Sequence, residues 1–189
     1  ANLFLTQQAR LRLEEKGTII YKDASANKGG VTSSSLEVLA SLALTDEEFE
    51  SLLCVKNGNV PAFRQKYIEE IIEVIKENAG LEFKIIWQEN QKKRIARSVL
   101  SDLISDKINQ MKDAIAASDL YQNKAVFRKV IECCSPPSLI GQVGFEKVIK
   151  RVPETYLKAV FAARLGSRYV YKYGLEANEI SFYDFLKEF

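Results

Sequence analysis

The sequence contains no histidine. That absence alone removes Ser-His-Asp and Cys-His catalysis, and every His-ligated metal, from what this chain can do by itself. Cysteine is scarce: there are three, Cys54, Cys133 and Cys134. An odd number with one adjacent pair builds neither a disulfide framework nor a zinc site. It predicts a reducing compartment, cytoplasmic, with a mitochondrial location as the alternative. No apolar run reaches the roughly 18 residues of a membrane span, so no membrane partner is expected. The opening, ANLFLTQQAR, has neither the basic region nor the long apolar stretch of a secretory signal. It also lacks an initiator Met, and the expectation is that the sequence begins inside a larger domain. Excess charge of one sign is missing as well: 27 Lys and Arg face 25 Asp and Glu, a net +2. So even a balance is unlike the basic face of a duplex-DNA binder and unlike an acidic disordered tail, and no nucleic-acid partner is expected.

What is present suits a packed core. Of the 189 residues, 47% are hydrophobic, enough for one domain or one domain with part of another. Residues 6–16 read as a helix with Thr6 as N-cap and Gly17 as the stop. TIIYKD, 18–23, is rich in β-branched and aromatic residues and reads as a strand. A helix is expected from about Ser33 to Leu44, where Leu36, Leu39, Ala40 and Ala43 recur at helical spacing. Beyond Thr45 no strand pattern remains. Thr45 and Glu48 form a capping box for a short helix. Pro61 opens a helix expected to stop at Ala79-Gly80. Residues 82–117 predict one long helix or two nearly collinear ones. Ser118-Asp119 begins another that ends near Cys133, and Ser135-Pro136-Pro137 breaks the chain. Weak helix follows through 138–152, then a long helix from Pro153 to Gly174, and a final aromatic one capped by Ser181. The expected fold class is mostly α, with a fragment of α/β structure at its start.

One junction carries more chemistry than a connection needs. Asn27-Lys28-Gly29-Gly30 is followed by Val31 and four hydroxyl residues, Thr32 to Ser35. Paired glycines let another group approach the backbone. Helix-start amides lack intrahelical partners and favour an anion. Asn27 brings amide donors and an acceptor, Ser34 a hydroxyl, and Val31 an apolar wall. The plainer reading is a turn whose Ser34 and Glu37 form a capping box. The run is neither a Walker loop nor GxGxxG.

Asn27-Lys28-Gly29-Gly30-Val31-Thr32-Ser33-Ser34 resembles the Asn-x-Gly-Gly-Val-x-x-Ser segment of glutamate dehydrogenases, which follows the last strands of their dinucleotide-binding domain. Ala1-Asn2-Leu3 resembles the end of that family's Glu-Gly-Ala-Asn turn. ANLFLTQQARLRLEEKG and PETYLKAVFAARLGSRYVYKYG are similar to the large fungal NAD-specific members. The resemblance covers the whole chain and is tightest over 1–44.

It implies a C-terminal fragment. Residues 1–44 would close a Rossmann-like dinucleotide-binding domain, and 45–189 would form a helical region. NAD is the implied cofactor, with Asn2 near the nicotinamide and Asn27 hydrogen-bonded to its carboxamide. Val31 and Ser34 would line the pocket of the glutamate side chain, with Ser34 near its distal carboxylate. Lys28 stands where smaller members commonly have Ala, and reads as a solvated loop lysine. The implied reaction passes hydride from the glutamate α-carbon to NAD, leaving an imine that water hydrolyses to 2-oxoglutarate and ammonium. The family's phosphate loop, catalytic lysine and catalytic aspartate belong upstream. No catalytic residue is therefore assigned here, the fragment alone is expected to be inactive, and a homo-oligomer is implied for the full-length enzyme.

Other features have plainer readings. Lys92-Lys93-Arg94-Ile95-Ala96-Arg97 is one basic turn, the solvated side of a helix. Ala159, Ala162, Ala163 and Gly166 permit close helix packing, in the core or between subunits. The aromatic group from Tyr169 to Phe189 docks the last helices. The rival for the chain as a whole is a non-catalytic helical interaction or oligomerisation module whose Gly-Gly loop only reverses direction.

Overall fold

A computed structural model describes residues 4–187, and every regular element among them is helical. In order these are α1 (Gln7–Glu15), α2 (Asp23–Ala26), α3 (Gly29–Ala43), α4 (Asp46–Leu53), α5 (Ala62–Lys93), α6 (Arg97–Ala117), α7 (Lys124–Cys134), α8 (Pro137–Val143), α9 (Phe145–Arg151), α10 (Glu154–Tyr173) and α11 (Glu179–Lys187). Single 3-10 turns lie at Leu120–Gln122 and Gly174–Glu176. The mostly α class expected from the sequence is found.

The capping signals explain most boundaries. Thr6 Oγ1 accepts from Ala9 N at the start of α1. Thr45 and Glu48 make the full capping box of α4, each side chain bonded to the other's backbone N–H. Arg151 reaches that cap, donating to Glu48 Oε2 at 2.6 Å and to Ala43 O at 2.8 Å. α10 runs from just after Pro153 to Gly174, as expected.

Four expectations change. Residues 18–22 form no regular element and pair with no strand among the described residues; a ladder needs a neighbour, and side chains hold this segment instead. α3 starts at Gly29, one turn before Ser33, so Ser34 lies inside the helix and Glu37 caps nothing there. α5 runs straight through Ala79-Gly80 to Lys93. The cost of one helical glycine, about 1 kcal/mol, is small beside the packing of so long a helix. Its true end is Arg94, in the left-handed region at φ 57, which separates α5 from α6 inside the basic cluster. The last helix is capped by Asn178, whose Oδ1 accepts from Ile180 N and Ser181 N.

α10 is the axis of the core. It packs most extensively on α6 and also touches α5 and α7. Phe161, Leu165, Tyr169 and Val170 on it are essentially without exposed surface. Closest approach falls at Gly166: a Cβ there would stand 3.1 Å from Lys112 N. Ala162 shares this buried face, whereas Ala159 and Ala163 are exposed. Of the small-residue row, Ala162 and Gly166 serve core packing.

Candidate functional site at the head of helix α3

The strip from α1 to the α3 start is fastened to α5 and α6 by side chains distant in sequence. Glu14 places its carboxylate on the first amides of α6, accepting from Arg97 N at 2.8 Å and from Ser98 Oγ at 2.8 Å. A carboxylate there complements the positive end of the helix dipole. Arg97 donates to Thr18 O at 3.3 Å. Tyr21 stacks on Phe83 with ring centroids 4.8 Å apart. Lys22 pairs with Asp102, and the Ser25 and Ser101 hydroxyls share a hydrogen bond. Buried Arg10 pairs with Asp23 at 2.7 Å. Together these contacts hold this segment in place without a sheet.

The strip delivers the Asn27–Val31 turn. Asn27 is exposed, and its N–H closes α2 on Asp23 O at 2.8 Å. Lys28 is not a solvated lysine. Its ammonium lies 2.5 Å from Glu82 Oε2, a carboxylate only 6% exposed. Tyr171 of α10 donates to that same oxygen at 2.8 Å. Burial first, and then the Glu82 charge, push the Tyr171 phenol far above its ordinary range, so it stays a donor. With Lys28 neutralised, the attraction of the turn for an anion rests on the backbone amides that open α3.

Val31 is 74% exposed, and Ser34 is exposed one turn further along. Three residues apart on a helix, they face the same way. A Cβ built at Gly29 or Gly30 meets nothing within 4 Å, so a ligand has open access to this backbone. Ser34 Oγ donates to Val31 O at 3.1 Å. Beneath, Tyr67 donates to Leu36 O at 2.6 Å and Tyr156 to Ser35 O at 2.9 Å, which fixes the register of α3. The structure thus brings Asn27, Val31 and Ser34 together on one exposed surface. Asn2 lies outside the described residues. Among the described residues no group of His, Cys, Asp and Glu could hold a metal ion, and no helix is long and apolar enough to cross a membrane.

This turn lies within the part of the chain, residues 1–94, matched by the sequence model of the glutamate/leucine/phenylalanine/valine dehydrogenases. Similarity to individual proteins extends further. Glutamate dehydrogenase 2 of Dictyostelium discoideum is 54% identical over 99% of the chain. The NAD-specific glutamate dehydrogenase of Neurospora crassa is 48% identical over all of it, and that of Saccharomyces cerevisiae 41% over 98%. The chain is similar to these dehydrogenases over nearly its whole length. It spans only 17–18% of the length of these relatives. No solved structure matches it.

Glu82 and Tyr171 hold Lys28 beside Asn27. Sequence reading misses both. Each sits at an unremarkable helical position, and no local pattern links Lys28 to a carboxylate on another helix.

Proposed function

We propose that this segment forms one wall of the site in which a glutamate dehydrogenase converts L-glutamate to 2-oxoglutarate and ammonium. Residues 1–44 complete the dinucleotide-binding, Rossmann-like domain of that enzyme, and 45–189 are its helical support. When bound, NAD supplies the hydride acceptor. Asn2 lies beside its nicotinamide end, and the Asn27 amide pairs with its carboxamide, each group offering the other a donor and an acceptor. An exposed Asn27 next to an unobstructed diglycine backbone fits such a group.

Val31 packs against the methylenes of the substrate. Ser34 donates to the distal carboxylate, which requires its hydroxyl to rotate away from Val31 O. The open amides of α3 lower the electrostatic cost of bringing that carboxylate in. The catalytic acid–base groups come from elsewhere in the full protein, so the isolated segment has no turnover. The full enzyme is a homo-oligomer in the cytoplasm or mitochondrion.

The observation that supports this reading best is the joint exposure of Asn27, Val31 and Ser34 around one diglycine turn in a chain so similar to NAD-specific glutamate dehydrogenases. In the full-length enzyme, Ser34→Ala raises the KM for glutamate about 10- to 150-fold, the worth of one hydrogen bond to a charged group. The KM for NAD stays constant. Asn27→Ala has the reverse pattern. An unchanged glutamate KM in Ser34→Ala would remove Ser34 from the pocket.

A further inference from the structure

A second cleft, of about 510 Å³, opens between α5, α10 and the last turn of α11. Its charge is one-sided. Lys84 of α5 and Arg164, Arg168 and Lys172 of α10 line it, and Glu77 is the one carboxylate among its described lining residues. That carboxylate is already engaged: Arg168 donates to Glu77 Oε2 at 2.6 Å and to Asn78 Oδ1 at 3.2 Å. Arg164, one turn before Arg168 on the same helix face, keeps its Nε buried with no hydrogen-bond partner among the described residues. Leaving a buried charged donor unpaired costs more than a hydrogen bond returns. Burial, and next the charge of Arg164, hold the Arg168 guanidinium below its ordinary value. Two guanidiniums thus stand side by side with a single carboxylate, Glu77, which pairs with Arg168, while Arg164 Nε has no hydrogen-bond partner among the described residues. The floor of the cleft is apolar, made by Leu81 and by buried Phe185.

We propose that this cleft binds a small organic oxyanion, a carboxylate or a phosphate ester. Arg164 and Arg168 grip the anionic group as planar forks, Lys84 adds a point charge at the mouth, and the carbon skeleton lies on Leu81 and Phe185. Tyr171, which bonds Glu82 behind the Lys28 turn, also lines this cleft, but no exposed residue of the Asn27–Ser34 surface does, and the proposal stands whether or not that surface binds glutamate.

The test is equilibrium binding to the full-length protein at fixed ionic strength, by calorimetry, with inorganic phosphate in one arm and succinate in the other. Saturable binding of either that weakens about tenfold or more in Arg164→Gln, the effect of one lost charge-assisted contact, supports the proposal. The arm that responds identifies the anionic group. Lys84→Gln is the second variant: Lys84 is exposed, so its replacement leaves the packing intact, and it weakens the same binding several-fold. Absence of saturable binding in both arms overturns the proposal, as does binding that both variants leave unchanged.

Discussion

Lys28 and Glu82 form an ion pair of 2.5 Å between the turn that precedes α3 and the middle of α5, with the carboxylate 6% exposed and the ammonium 26%. The pair is the one charged tie from the Asn-Lys-Gly-Gly turn to the helical body among the described residues, and Tyr171 bonds the same carboxylate oxygen.

Removing the ammonium leaves a nearly buried carboxylate with one neutral donor. Breaking a fully buried pair costs about 3–5 kcal/mol, and the partial exposure of Lys28 brings the expectation to about 1–3 kcal/mol. The loss is local. Hydrogen exchange of the full-length protein carrying Lys28→Ala should show amides of residues 23–31 exchanging about 5- to 100-fold faster, with those of α7 unchanged. Equal protection in both proteins would mean that the pair does not anchor the turn.

Two glycines make opposite predictions. Gly174 adopts φ 65, ψ −147, backbone that side-chain-bearing residues avoid, and a Cβ there collides with the Glu89 carboxylate. Gly174→Ala should lower stability by about 2–4 kcal/mol. Gly80 lies inside α5 with open space where its Cβ would be. Gly80→Ala should raise stability by about 0.5–1 kcal/mol. Thermal midpoints of the two variants against the parent decide both signs.

The adjacent cysteines should differ sharply in reactivity. All three cysteines are free, and Cys133 is exposed. Burial pushes the Cys134 thiol up to about 12, against the opposing pull of Arg164. At pH 8 very little of Cys134 is then thiolate, the reactive form. Alkylation at that pH, read by peptide mass spectrometry, should modify Cys133 and spare Cys134. Raising the pH from 8 toward 10 should increase Cys134 labelling about tenfold per unit while the protein stays folded. Equal labelling of the two at pH 8 would contradict the burial of Cys134.

Local signals in the sequence were sufficient wherever partners are close in the chain. Thr45 and Glu48 are three residues apart, and their box is present with both bonds. Pro153 and Gly174 delimit α10. Failures occur where a distant residue decides. TIIYK has the composition of a strand, but Tyr21 stacks on Phe83 and Thr18 bonds Arg97, so the segment stays unpaired. Gly80 reads as a stop, but the surfaces of α5 on both sides of it are packed. Ser34 reads as a cap because serine favours helix starts, yet the diglycine before it is already helical. Asn27, Val31 and Ser34 were marked out by resemblance to one eight-residue segment, and their roles remain a proposal. Glu82, Tyr171 and the Arg164 cleft were not legible, because their meaning depends on helices brought together only by the core.

The fastening of the leading strip has a further consequence, during synthesis. Its ties to α6 span 76 to 91 residues: Gln7 to Ser98, Glu14 to Arg97, Lys22 to Asp102, Ser25 to Ser101. At about 5–20 residues per second, the ribosome emits the strip roughly 4–18 s before the helix that will hold it. For that interval Ile20 and Tyr21 travel uncovered on a nascent chain, in a run whose composition favours pairing with any free strand nearby. Completion of α6 is therefore the moment at which this segment stops being a hazard to its neighbours on the polysome.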